Sequence, residues 1–223
     1  MSHRVSKQTL KHDEFSESLF NGAEYLKRHA TEVAALAVAV LIVIIGLVFW
    51  SQSRAKSGRE AGVMLTSVHG ALLGGQYQQA EQGYQEIIKR YGSSPAAKEA
   101  MVSLGNLKFR QGRYDEADQL YQRCVKSGGA NVLVMHAAHT GMAACDEQRG
   151  DFTSAGDGYA SFARAFPKEA FLAAEALLAA GRCYARAGLT AKARDAFRTV
   201  IESYGQTQAL TQARAMSALL PPE

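Results

Sequence analysis

The sequence predicts an all-α protein: one apolar helix near the N-terminus, then a solenoid of about four helical hairpins closed by a last helix. The first sign is Val33 to Ser53, twenty-one consecutive positions without a charged side chain. The second is a ten-residue figure that returns four times, as "GQYQQAEQGY" (Gly75 to Tyr84), "GRYDEADQLY" (Gly112 to Tyr121), "GDFTSAGDGY" (Gly150 to Tyr159) and "GLTAKARDAF" (Gly188 to Phe197). Its glycines stand 37, 38 and 38 residues apart, a regular period in the range of stacked repeat proteins.

Residues 1–32 form a charge-balanced tail, five Lys/Arg against five Asp/Glu. Within it Phe15, Leu19, Ala23 and Leu26 fall at helical spacing, with Asp13 placed to cap a helix and Gly22 weakening it. An interfacial helix, a docking helix for a partner and a partly ordered tail all fit this pattern.

Residues 33–53 are long enough to cross a bilayer, since a helix of that length rises about 30 Å. Lys27, Arg28 and His29 precede the run, Arg54, Lys56 and Arg59 follow it, and Trp50 sits near its end, where an interfacial aromatic is favoured. A cleaved signal peptide is the main rival, with "SQS" (Ser51 to Ser53) imitating a cleavage site. The long, charge-balanced leader and the bulky Phe49 and Trp50 favour an uncleaved anchor. Charge beside the span does not decide its orientation.

Residues 54–205 hold the repeats. Each glycine supplies the positive φ that ends a first helix and turns the chain tightly. Ala80, Ala117, Ala155 and Ala193 follow five residues later, where the two helices of a hairpin cross closely and a larger side chain would push them apart. Tyr84, Tyr121, Tyr159 and Phe197 come one turn further along the same face and fill the gap toward the next repeat. Gly105, Ala143 and Gly181 lie seven residues before their turn glycines, with Val68 in the first repeat. Residues 206–223 contain one more helix, within Gln206 to Leu220, which closes the exposed end as stacked arrays require.

The figure resembles the tetratricopeptide repeat. The fullest copy, Met101 to Val125, carries Leu104 and Gly105, the turn glycine Gly112, Ala117 and Tyr121 at the family's positions. The first repeat departs most, with Ser67 and Val68 in place of a Leu-Gly pair, and each repeat exceeds the family's usual length. One N-terminal span followed by such repeats is similar to the bacterial membrane-anchored tetratricopeptide proteins that include the ancillary subunit of the Sec translocon. That resemblance implies a single-pass inner-membrane protein with periplasmic repeats, a chaperone-like scaffold assisting exported or envelope proteins. A structural accessory subunit, recognised through its span and tail, is the alternative.

Chemistry points elsewhere than catalysis. The net charge of +4 is thinly spread, unlike the concentrated basic face of a nucleic-acid binder. No Gly-rich phosphate loop and no nucleophile–base pairing stands out, so no enzyme, cofactor or small-molecule substrate is expected. His136 and His139 could form half a metal site, but further ligands have no obvious source. Cys124, Cys145 and Cys183 read as small buried hydrophobes, with Cys124 and Cys145 the pair to test for a bridge.

Function is therefore expected on a surface that binds other proteins. In the tetratricopeptide family the first helix of each repeat lines a concave groove. The resemblance carries that role to His69 and Leu72, to Asn106, Phe109 and Arg110, to Thr140 and Gln148, and to Arg182 and Arg186. Arginines and an aromatic suit an extended peptide, its carboxylates and its backbone. The family's complete clamp for chaperone tails is not present.

Overall fold

A computed structural model describes residues 30–221; the expectations on Phe15, Leu19, Ala23 and Leu26 lie outside them. The described residues form α1 (Ala30–Leu73), α2 (Tyr77–Arg90), α3 (Pro95–Arg110), α4 (Tyr114–Ser127), α5 (Val132–Gln148), α6 (Phe152–Ala165), α7 (Ala170–Arg186), α8 (Thr190–Ser203) and α9 (Ala209–Ala218), with no strand among them. The chain divides into two units, Met1–Lys56 and Ser57–Glu223.

In the first unit the described part of α1 is a helix whose large apolar side chains, among them Leu36, Val38, Leu41, Ile45, Phe49 and Trp50, stand exposed. The Arg54 guanidinium lies 5.2 Å from the centroid of the Trp50 ring, so the apolar run ends on a cation–aromatic contact.

In the second unit the four hairpins share one turn. After α3, the Gly112 N–H donates to Phe109 O at 3.0 Å and the Arg113 N–H to Lys108 O at 2.9 Å. After α5 the Gly150 N–H donates to Glu147 O at 3.1 Å and the Asp151 N–H to Asp146 O at 3.0 Å, and Gly75 and Gly188 repeat the pair. This is the Schellman motif, which needs the left-handed backbone that glycine adopts without strain; φ is 75, 74, 84 and 73° at Gly75, Gly112, Gly150 and Gly188. The residue after each glycine already caps the next helix, so one hydrogen-bonded corner both stops and restarts the chain.

Of the connections back, those into α3 and α5 start the next helix with a side chain, whereas those into α7 and α9 do not. Ser94 Oγ accepts from the Ala97 N–H at 3.1 Å, with Pro95 in the first turn of α3, where its missing N–H costs nothing. Asn131 Oδ1 accepts from the Leu133 and Val134 N–H groups and starts α5.

Packing is decided where helices cross. Ala80, Ala117, Ala155 and Ala193 are fully buried, and Tyr84, Tyr121 and Phe197 nearly so. Tyr121 lies between Gly105 of α3 and Gly141 of α5; a Cβ on either would sit 2.6 Å from the ring. Gly181 receives Phe197 in the same way, and Gly156 receives Tyr184. The first repeat inverts the arrangement. Val68 brings the bulk from α1, and Gly83 of α2 makes room for it. The third repeat does likewise, with Ala143 against Gly158, where an added Cβ would stand 3.1 Å away.

Among the described helices α3 packs on α5, α5 on α7 and α7 on α9, forming an inner row of first helices. The second helices α4, α6 and α8 pack on the first helices on either side and leave clefts between one another. The cleft between α2 and α4 holds about 440 Å³ and that between α6 and α8 about 530 Å³.

The inverted pair gives a direct test. G83A drives a methyl into Val68 and should cost about 2 kcal/mol by overpacking, read from chemical denaturation. V68A should recover most of that loss in the double mutant, a coupling that additive behaviour of the two changes would rule out.

Candidate partner-binding groove

The inner row carries the residues expected to line a groove, and the fold places them in unequal states. His69 Nε2 stands 3.3 Å from Ser103 Oγ, and its ring meets Tyr84 edge-on with centroids 5.7 Å apart. Leu72 and Phe109 are half-buried and pack against the core. Phe109 also meets Tyr114 edge-on at 5.2 Å, and the Tyr114 hydroxyl lies 3.5 Å from Gln148 Oε1. Asn106 is exposed, but its Oδ1 accepts from the Tyr121 hydroxyl at 2.7 Å, which fixes the orientation of its amide. Thr140 turns its hydroxyl inward, donating to His136 O at 2.8 Å.

The arginines divide two ways. Arg186 pairs with Glu147 at 3.0 Å and lies over the Phe152 ring at 4.0 Å, so its guanidinium already has a carboxylate and an aromatic face as partners. Arg110 and Arg182 are exposed and, among the described residues, join no ion pair. Arg182 edges a recess of about 280 Å³, with Phe171, Glu175 and Leu178 from α7, Gln208 at the start of α9 and Gln212 within it. Phe171 is 51% exposed, a large apolar surface beside a free guanidinium. Sequence reasoning missed this recess because its far wall depends on how α9 docks. The signal available was Phe171 itself, standing at the same place in its repeat as the exposed Leu133.

His136 and His139 are part of the packing. Their rings stand edge-on to Phe162 at 4.8 and 5.9 Å, and Phe162 stacks on Phe166 at 4.9 Å. Among the described residues no cluster of three or more metal-ligating side chains occurs. Burial lowers the pKa of both imidazoles; Glu175 opposes this for His136, and His136 adds to it for His139. The three cysteines are free and buried, and burial pushes the Cys145 and Cys183 thiols up to about 11. Such thiols are weak nucleophiles at neutral pH.

The sequence reading also passed over Lys108, which is 2% exposed. Its ammonium pairs with Glu81 of α2 and lies 3.5 Å from Glu116 of α4, while Arg113 Nε closes on Glu116 at 2.5 Å. Lys98 is buried as well and donates to the carbonyl of Gly128 at the end of α4.

A family model for the tetratricopeptide repeat-like domain matches residues 23–218. The chain belongs to that family. A search of curated proteins finds no match. Among solved structures it is similar to a tetratricopeptide repeat protein of Parabacteroides merdae, with 18% identity over 73% of this chain and 59% of that one and a TM-score of 0.56. It is also similar to BtubC (BKLC) from P. vanneervenii, with 18% identity, 74% and 79% coverage and a TM-score of 0.55. Kinesin-light-chain repeats of Podospora anserina align at 13% identity, 73% and 85% coverage and a TM-score of 0.56. At such identities these likenesses establish the fold alone. The tetratricopeptide fold is that of a protein-interaction scaffold, and no enzymatic family is indicated.

The imidazole pair makes stability depend on pH. With lowered folded-state pKa values, the folded protein binds fewer protons than the unfolded chain. The stabilising contribution is therefore present above the ordinary imidazole value of about 6.5 and is lost as pH falls below it. The denaturation midpoint should drop between about pH 7.5 and 5.5, and H136F/H139F should flatten that drop. An unchanged slope in the variant would assign the loss to other groups.

Proposed function

We propose that this protein is a membrane-tethered scaffold whose residues 33–53 cross the bacterial inner membrane once. Its groove holds exported or envelope polypeptides near the translocon, with the repeats in the periplasm. The observation that carries the reading is the pairing of an exposed apolar helix with an inner row on which Arg110 and Arg182 stand unpaired. An exposed apolar surface of that size is stable in lipid and costly in water. A guanidinium without a protein carboxylate is poised for a partner's carboxylate or backbone carbonyl.

Charge reversal of both groove arginines, R110E/R182E, should weaken partner capture about tenfold while leaving the melting temperature unchanged. Phe109 and Arg186 stay in place because both already serve the array's own packing. Capture at full strength in a folded variant would remove the groove from consideration.

A second reading is that the span and tail recognise a membrane complex while the repeats brace it. The exposure of Leu36, Val38, Val40 through Ile45 and Leu47 through Trp50 favours it, since a partner helix would find these side chains available. Transplanting residues 1–58 onto an inert domain should then preserve complex membership.

Orientation is read by an impermeant thiol reagent on intact cells, with single cysteines at Ser6 and at the exposed Ser93, since Ser94 caps α3. Labelling at Ser93 alone is the expected result. Labelling at Ser6 alone would place the repeats in the cytoplasm and end the export reading.

A further inference from the structure

The two edges of the repeat unit treat charge differently. At the edge of the turn glycines, cations and carboxylates are locked together. Lys108 pairs with Glu81, Arg149 with Asp115 at 3.1 Å and Asp146 at 2.6 Å, and Lys192 with Asp157 at 3.1 Å. The opposite edge is where each second helix ends and the next first helix begins. There Lys89, Arg90, Arg123, Lys126, Arg164 and Lys168 are exposed and, among the described residues, join no ion pair. The carboxylates near them in sequence are Glu86, Glu99 and Glu169; Glu60 of α1 lies at this edge too, and the fourth repeat carries Glu202 where the first three carry a cation.

The arrangement is periodic. Lys89, Lys126 and Arg164 each stand fourteen residues after a turn glycine, so three successive repeats present a cation at the same place. A cation near a helix C-terminus interacts favourably with the helix dipole. That accounts for its presence but leaves its charge facing solvent. Lys89 and Arg123 rim the cleft between α2 and α4, and Arg164 rims that between α6 and α8. Charge spread along an edge in this way fits an extended anionic surface better than one compact anion.

The first helix of the array begins at this same edge, for the hydroxyl of Tyr91, the cap of α2, lies 3.4 Å from Glu60 Oε2. Ser57, the first residue of the repeat unit, follows the last residue of the apolar run, Ser53, by four positions.

We propose that the Lys89–Lys126–Arg164 edge docks on an anionic bilayer surface, its cations meeting the phosphates of acidic lipid head groups. Clusters of about four to eight Lys/Arg beside a membrane helix bind such lipids, and the attraction fades within a Debye length. The choice of a membrane over an acidic protein rests on reading residues 33–53 as a span, which tethers the repeat unit to lipid through a few residues of chain.

The test uses the full chain reconstituted in vesicles of phosphatidylcholine alone and of phosphatidylcholine with phosphatidylglycerol. Amide hydrogen exchange is followed at the α2–α3 and α4–α5 connections, with the Gln111–Arg113 turn as control. Exchange at the two connections should slow severalfold only where phosphatidylglycerol is present. High salt or K89E/K126E/R164E should abolish the effect, with the control turn unchanged throughout. Equal exchange in both lipids, with the chain inserted in both, would overturn the proposal. So would protection that responds to charge reversal but not to lipid, which would assign it to contacts of the chain with itself. If the chain fails to float with neutral vesicles, the span reading falls. The edge is then judged by whether anionic vesicles alone carry the chain in a salt-sensitive, charge-reversal-sensitive manner, and failure to do so would overturn it.

Discussion

The array depends on a steric relation repeated at each helix crossing: bulk from one helix enters a place where the other has no side chain. Tyr121 between Gly105 and Gly141 is the fullest case, because one ring serves both its own hairpin and the next. A buried aromatic of this kind contributes about 2–3 kcal/mol through area removed from water, provided no partner obstructs it. The relation constrains volume rather than residue identity. Val68 against Gly83 satisfies it as well as Phe197 against Gly181, with the large and small members exchanged between helices. Each repeat touches only its neighbours, so a mismatch is not shared across a larger core and must be corrected locally.

A second relation runs along the outer face. Lys108, Asp146 and Tyr184 stand three residues after Gly105, Ala143 and Gly181, and each turns into the seam between successive second helices. Lys108 joins Glu81 and Glu116, Asp146 joins Arg149 beside Asp115, and the Tyr184 hydroxyl donates to Asp157 at 2.7 Å. Burying charge is costly unless each member is paired, so these seams add little net stability. They do make the seams chemically different from one another. A hairpin displaced by one repeat would leave Lys108 without its carboxylates.

Much of this fold is legible in the sequence because its periods are short and its signals local. The turn glycines, the buried alanines and the aromatic one turn later each answer a demand set within a single hairpin. What stayed hidden depends on neighbours distant in sequence. Gly83 looks like an ordinary glycine until Val68 lies against it, and Lys108 reads as a solvated lysine until α2 and α4 close over it. The groove was legible as a set of positions but not as a set of states. Which arginines remain unpaired is decided by Glu147 and Phe152 around Arg186, and the recess beside Arg182 by the docking of α9.

Those states bear on the kind of partner the groove could hold. With Asn106 held by Tyr121 and Arg186 by Glu147, the expected groove positions keep two cations that join no ion pair among the described residues, Arg110 and Arg182, two repeats apart. Helices in contact lie about 10 Å from axis to axis, so the step from α3 through α5 to α7 is about 20 Å. About six extended residues cover that distance. A ligand reaching both arginines is therefore an extended segment, and a single side chain or a compact metabolite would engage only one. The recess beside Arg182 offers Phe171 and Leu178 to an apolar side chain at one end of such a segment. Orientation along the groove would then come from the apolar end, since the two arginines alone read the same in either direction.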